Sequence, residues 1–326
     1  AIVPDVGTYR SGDFDLQAHR GGLGLTVENT LEAFSTALEI GVTTLECDMH
    51  VSADGAAMVT HDRRLTSQKY TDTGPAFVDD PDFPYVGKYV TRLTRDQLDT
   101  LDCGSTTLPT HPRQRAVPGA RMPTLSEVFD LMKQRGAFDV RVNIETKYET
   151  VAPTETAPRE RFVQVVADVV RQAGWVDRTA IQSFDWGLLR RVREVEPGLR
   201  LNALTSSHYL EVGKPGASPW LGGLDIDVYD GNLVAAAAAI GVDGVSPVHG
   251  DPPRSGVTDP NYRPFVTQSM VDDAHDRELQ VLPWTVDDPA TMRALIDLGV
   301  DGMITNYPDV LRTVLDELGM SLPTAY

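Results

Sequence analysis

The sequence predicts an α/β protein, one catalytic (β/α)8 TIM-barrel domain spanning residues 1–326, with a hairpin strand after its second strand and an inserted cap. Three observations predict it. Short β-rich runs alternate with amphipathic helical stretches, and the runs that could form a barrel wall number eight. Acidic, basic and histidine side chains gather at the C-terminal ends of those runs, where barrel enzymes work.

The first strand is read at 15–18. Leu31, Phe34 and Leu38 then recur at helical spacing, with Asn29 or Thr30 able to cap the helix and Gly41 placed to end it. The second strand is 44–48, and a further β-like run, 57–61, breaks the alternation. Asp54-Gly55 between them is a two-residue hairpin signal. With those residues as the turn, positions summing to 109 face each other, and Asp48 lies opposite His61. Residues 63–122 lack periodicity and are rich in Pro, Asp, Thr and aromatics. That is too long for an ordinary barrel loop, so the segment is read as a cap bringing Tyr70, Phe77, Phe83, Tyr85 or Tyr89 near a ligand. A helix carrying Leu125, Val128, Phe129 and Met132 follows the cap residue Thr124, and the third barrel strand is 140–145. Phe162, Val165, Val166 and Val169 mark the next helix. The remaining strands are read at 180–184, 201–204, 244–247, 281–285 and 302–305. Ile40-Gly41-Val42, Ile240-Gly241-Val242 and Leu298-Gly299-Val300 each precede a strand, as expected where Gly ends a helix in the left-handed conformation.

Composition is that of a globular chain, 41% hydrophobic and 23% charged, and no apolar run approaches the roughly 18 or more residues that a membrane span requires. The formal charge of −18 repels nucleic acid and anionic lipid at long range, yet allows one phosphate in a local cationic pocket. A small-molecule substrate, no nucleic acid, no integral membrane association and a monomer are the expectations. Cys47 and Cys103 read as two thiols or as one disulfide. The first residue is Ala1, which signal-peptide cleavage or trimming would leave, and export is expected.

Residues two apart in a strand share a face, so Glu46 and Asp48 project together, as do Glu145 and Lys147, while Cys47 and Thr146 point away. Three carboxylates converging in a low-dielectric mouth need a compensating cation. Oxygen ligands without a Cys/His cluster favour Ca²⁺ or Mg²⁺ over zinc. A lone His in an apolar strand is usually a packed core residue, but His19 and His61 both end strands beside these acids. Such a pair can give one proton and take another, as phosphodiester cleavage requires. Arg20 and Lys147 supply charge for phosphate oxygens, and Gln182 and Trp284 are candidates for the substrate pocket. His50, His111, His208, His249 and His275 lack comparable company.

His19-Arg20-Gly21, Glu28-Asn29-Thr30 leading to Ala33-Phe34, Glu46-x-Asp48, Asp54-Gly55 and His61-Asp62 follow one another in order. Downstream come Pro123-Thr124-Leu125, Glu145-x-Lys147, Gln182-Ser183-Phe184, Trp284-Thr285-Val286 and Gly299-Val300-Asp301-Gly302. In this order, from about Asp15 to Pro308, the chain resembles the glycerophosphodiester phosphodiesterase family. The resemblance implies a TIM barrel with an insertion after the second histidine, and general acid–base roles for His19 and His61. It further implies metal ligands at Glu46, Asp48 and Glu145, and phosphate contacts at Arg20 and Lys147. The implied reaction cleaves deacylated phospholipids to sn-glycerol 3-phosphate and an alcohol. Val27 stands where the family commonly has Pro, and the stretch after His61-Asp62 is longer and less regular than the family's. The other reading is a phospholipase D-like or sphingomyelinase D-like enzyme acting on lysolipids or intact lipids, which would need an apolar membrane-facing rim.

Overall fold

Eight parallel strands, each followed by a helix, form the wall of a barrel in a computed structural model that describes residues 13–326. Ala1, on which the expectation of export rests, lies outside the described residues. In chain order the elements begin β1 (Asp15–Ala18), α1 (Leu31–Ile40), β2 (Thr44–Val51) and the hairpin strand β3 (Ala57–Val59). Then come α2 (Arg95–Leu98), α3 (Leu125–Gln134), β4 (Arg141–Thr146), α4 (Arg159–Ala173), β5 (Thr179–Ser183), α5 (Trp186–Val195) and β6 (Arg200–Thr205). They continue with α6 (Ser207–Leu210), α7 (Leu233–Ile240), β7 (Gly244–Pro247), and a short ribbon of β8 (Gly250–Asp251) with β9 (Arg263–Pro264). The chain ends with α8 (Gln268–Asp276), β10 (Gln280–Val281), α9 (Pro289–Leu298), β11 (Gly302–Thr305) and α10 (Pro308–Glu317).

Around the wall the order is β10-β7-β6-β5-β4-β2-β1-β11. The last gap is bridged by single backbone bonds, Asp301 N to Val281 O at 3.0 Å and Ile304 N to Pro283 O at 2.9 Å. Regular pairing of the strand expected at 281–285 stops at Val281. Pro283 has no N–H for the ladder, which cuts the strand short.

Helix ends follow the sequence chemistry. Thr30, rather than Asn29, caps α1, accepting from Ala33 N at 3.1 Å. Thr124 and Glu127 form a capping box on α3, an arrangement worth about 1 kcal/mol. Gly41, Gly241 and Gly299 have φ of 95°, 79° and 92°, the left-handed region that turns the chain towards the next strand. Between wall and helices lies the core, where Leu45, Cys47 and Met49 of β2 pack among Phe34, Phe129, Phe162 and their neighbours. Both cysteines are free thiols, Cys47 in that core and Cys103 within the inserted segment, against that segment's own core.

The hairpin forms with a different register. Met49 pairs with Val59, His50 with Met58 and Val51 with Ala57, so facing positions sum to 108 rather than 109. Gly55 N bonds Ser52 O and Ser52 N bonds Ala56 O, which makes Ala53-Asp54-Gly55 a three-residue loop. Gly55, at φ 87°, takes the left-handed position that such a loop requires. Asp48 therefore meets Thr60, whose N–H donates to Asp48 O at 3.2 Å, and His61 lies one step beyond.

Residues 63–122 build a small core of their own from Leu65, Tyr85, Val90, Leu93, Leu98 and Leu101, closed over Met58 of β3. The aromatics expected near a ligand divide accordingly. Tyr85 is fully buried, with its hydroxyl on Asp80 at 2.5 Å and Phe83 edge-on at 5.3 Å. Phe77 is exposed, whereas Tyr70 and Tyr89 each line a cavity that also contains His61.

Candidate active site

β1 ends at Ala18, and the chain turns tightly through His19–Gly21 at the mouth of the barrel. Arg20 takes φ 52°, a left-handed conformation that costs a non-glycine residue about 1–2 kcal/mol. Hydrogen bonds offset that cost. Arg20 N donates to Glu46 Oε2 at 2.9 Å, and Arg20 O accepts from Asn29 N at 2.9 Å. At Gly21, φ 80°, a Cβ would meet Ala33 Cβ at 2.9 Å, so the turn closes only on glycine.

The acidic pair of β2 and the acid of β4 meet across adjacent strands, with Asp48 in register with Glu145. Glu46, Asp48 and Glu145 each offer a carboxylate oxygen, and these lie within 4.8 Å of one another. Burial, with Asp48 and Glu145 alongside, pushes the Glu46 carboxyl well up. Burial also acts to raise Asp48, but His61, Arg20 and Lys147 outweigh it and hold Asp48 below the usual carboxylate range. Asp48 Oδ1 is buried without a hydrogen-bond partner, an expensive state unless something electropositive faces it. Three convergent oxygen donors, one of them orphaned, suit a hard divalent cation.

Arg20 lies against this cluster, its Nε 3.4 Å from Asp48 Oδ2 and its Nη1 2.9 Å from Glu28 Oε2. Lys147 Nζ is 3.0 Å from Glu145 Oε2 and 3.3 Å from His61 Nε2. Each histidine is held from behind through Nδ1. His61 Nδ1 lies 2.7 Å from Asp62 Oδ1, and His19 Nδ1 lies 2.6 Å from Asn306 Oδ1. His19 Nε2 then faces Glu46 Oε2 at 4.0 Å. Burial and the Arg20 guanidinium push His19 down to about 4. Burial, Arg20 and Lys147 hold His61 well below its ordinary value.

Of the residues singled out for the pocket, Gln182 reaches inward, donating to Glu46 Oε1 at 3.0 Å. Trp284 donates through Nε1 to Ser246 O at 2.8 Å and meets Phe184 edge-on at 5.8 Å. Phe184 stacks on Tyr209 at 4.2 Å, which extends an aromatic wall from Trp284. Sequence reasoning passed over several supporting residues. Asn29 Nδ2 donates to Asp48 Oδ2 at 3.0 Å, and His50 Nε2 donates to His61 O at 3.1 Å. Asn306 follows the eighth barrel strand directly, so a reading of all eight strand ends would have reached it.

Residues 19–310 match the Glycerophosphoryl diester phosphodiesterase family. The chain is 27% identical over 297 residues to a glycerophosphodiester phosphodiesterase of Caldanaerobacter subterraneus subsp. tengcongensis, covering 90% of this chain and 94% of the relative. A solved structure from Silicibacter pomeroyi DSS-3, described under the same family name, superposes with TM-score 0.77 at 29% identity, covering 97% and 98% of the two chains. An Oleispira antarctica phosphodiesterase, solved in complex with its product sn-glycerol-3-phosphate, shares the fold at TM-score 0.65 and 19% identity, covering 93% and 96%.

Proposed function

The chain belongs to the glycerophosphoryl diester phosphodiesterase family, and from that premise we propose its substrates and the division of labour in its site. It is an enzyme, a phosphoric diester hydrolase acting on glycerophosphodiesters. The proposed substrates are deacylated phospholipids such as glycerophosphoethanolamine or glycerophosphocholine, cleaved to sn-glycerol 3-phosphate and an alcohol. One observation carries the proposed chemistry: two imidazoles, each anchored through Nδ1, flank the carboxylate cluster, His19 with Nε2 4.0 Å from Glu46 Oε2 and His61 with Nε2 3.3 Å from Lys147 Nζ, which itself pairs with Glu145.

Glu46, Asp48 and Glu145 would hold a divalent cation, Ca²⁺ or Mg²⁺, which when bound neutralises charge on the phosphate oxygens. Arg20 and Lys147 pair with the remaining non-bridging oxygens and steady the in-line geometry. One histidine takes the proton of the attacking hydroxyl, from water or the neighbouring glycerol carbon, as the new P–O bond forms. The other, protonated at Nε2 from solvent before the step, gives that proton to the departing alkoxide as the ester P–O bond breaks and returns to the neutral ring. Attack by the glycerol hydroxyl gives a cyclic phosphate, which water opens by the same proton exchange.

An assay for the released alcohol, choline or ethanolamine, tests this, run on glycerophosphocholine, glycerophosphoethanolamine and lysophosphatidylcholine, with EDTA and then Ca²⁺ or Mg²⁺ added back, and sn-glycerol 3-phosphate identified as the second product of the glycerophosphodiesters. Turnover of the two glycerophosphodiesters, lost with EDTA and restored by metal, is expected. Turnover indifferent to EDTA removes the metal, and turnover confined to the lysolipid removes the substrate class.

A further inference from the structure

We propose that Lys69, carried by the inserted segment, is a positioning residue that ties the carboxylate behind His61 to the carboxylate behind Arg20. This rests on the reading of His61 as a proton-transfer group and Arg20 as a phosphate contact. Lys69 Nζ lies 3.1 Å from Asp62 Oδ1 and 3.4 Å from both Glu28 oxygens. Asp62 Oδ1 is the atom that holds His61 Nδ1 at 2.7 Å, and Glu28 Oε2 is the atom that holds Arg20 Nη1 at 2.9 Å. One ammonium therefore engages both backing carboxylates at once.

The delivery of that ammonium is firm. Lys69 lies in a turn closed by Lys69 N and Tyr70 N, both donating to Thr66 O, at 3.2 and 3.0 Å. The next residue, Tyr70, is buried in the inserted core and bonds Thr60 Oγ1 through its hydroxyl, just ahead of His61. With Lys69 gone, two carboxylates reach for the same space with no cation between them, and like charges move apart. Asp62 and Glu28 then carry the His61 ring and the Arg20 guanidinium with them. Small displacements of reacting groups lower turnover steeply, so the loss falls on kcat. The inserted segment thus takes part in the reaction through the two carboxylates it holds in place.

The test uses the full chain with saturating metal and glycerophosphocholine as substrate. Lys69→Met should lower kcat about tenfold or more while KM stays within about threefold, and Lys69→Arg should stay within about threefold of the parent in both. Asp62→Asn should lose a comparable factor, and the Lys69→Met/Asp62→Asn pair should lose no more than the worse single variant, because both act along one path. A parental kcat for Lys69→Met, multiplicative losses in the pair, or a loss that falls on KM alone would each overturn the proposal. Circular-dichroism melting checks the fold; where Lys69→Met melts early, Lys69→Gln is read by the same criteria. His61→Ala in the same series separates the two levels. An inactive His61→Ala beside a fully active Lys69→Met overturns the Lys69 proposal alone, whereas an active His61→Ala removes the reading beneath it.

Discussion

Asn306 offers its Oδ1 to His19 Nδ1 at 2.6 Å, and Asp287 fixes which way that amide points. Asp287 Oδ2 accepts from Asn306 Nδ2 at 2.7 Å, and Asp287 Oδ1 accepts from Asn306 N at 2.9 Å. A carboxylate can only accept, so the amide nitrogen faces Asp287 and the oxygen faces His19. His19 thereby carries its proton on Nδ1 and presents Nε2 as a bare lone pair. Asn306→Leu should release this tautomer and lower kcat roughly tenfold to a hundredfold, comparable to the loss of an orienting partner in a metal site. Nitrogen-15 NMR of His19 reads the tautomer directly, and an unchanged Nδ1–H spectrum in the variant would refute the assignment.

His19→Ala and His61→Ala should each reduce turnover by about 10²–10⁴, the usual share of a general acid or base. Metal affinity should survive both changes, because the carboxylates that would hold the ion remain. Calorimetric titration with Ca²⁺ alongside the assay checks both halves, and near-parental turnover in both variants sinks the assignment.

Added metal should stabilise the fold. A ligand bound only by the native state at 100 times its Kd contributes about 2.7 kcal/mol, so the melting temperature should rise with Ca²⁺ or Mg²⁺ and fall back with EDTA. Glu145→Gln removes one charged donor while keeping a hydrogen-bonding side chain opposite Lys147, whose Nζ lies 3.0 Å from Glu145 Oε2. The shift should shrink in that variant. An equal shift in parent and variant would remove Glu145 from the ligand set.

His249 makes stability depend on pH. Burial holds its imidazole below the ordinary value of 6.5, with Nε2 donating to Pro253 O at 2.7 Å and Nδ1 facing the Tyr262 hydroxyl at 2.8 Å. Above pH 6.5 neither the folded nor the unfolded chain protonates this ring, and it leaves stability unchanged. As pH falls through 6.5 the unfolded chain binds the proton first, and stability falls. Urea unfolding at pH 7.5 and pH 5 in EDTA should show a smaller decline for His249→Gln than for the parent. Identical declines would contradict the prediction.

Sequence alone determined the barrel, because a β/α alternation with eight wall strands is a local pattern that each segment carries in its own residues. It also determined that Glu46 and Asp48 share a face, since the period of two along a strand is a property of the backbone. Tertiary structure decided the partners. The hairpin register turned on whether its loop held two residues or three, and one residue more moved the cross-strand partner of Asp48 from His61 to Thr60. The strand at 281–285 was shortened by Pro283, whose missing N–H matters only once a neighbour needs it. Asn306 on His19 and Lys69 between Asp62 and Glu28 are pairings across chain closure and insertion. No local periodicity encodes such pairings, because their separation is small only after the wall has closed.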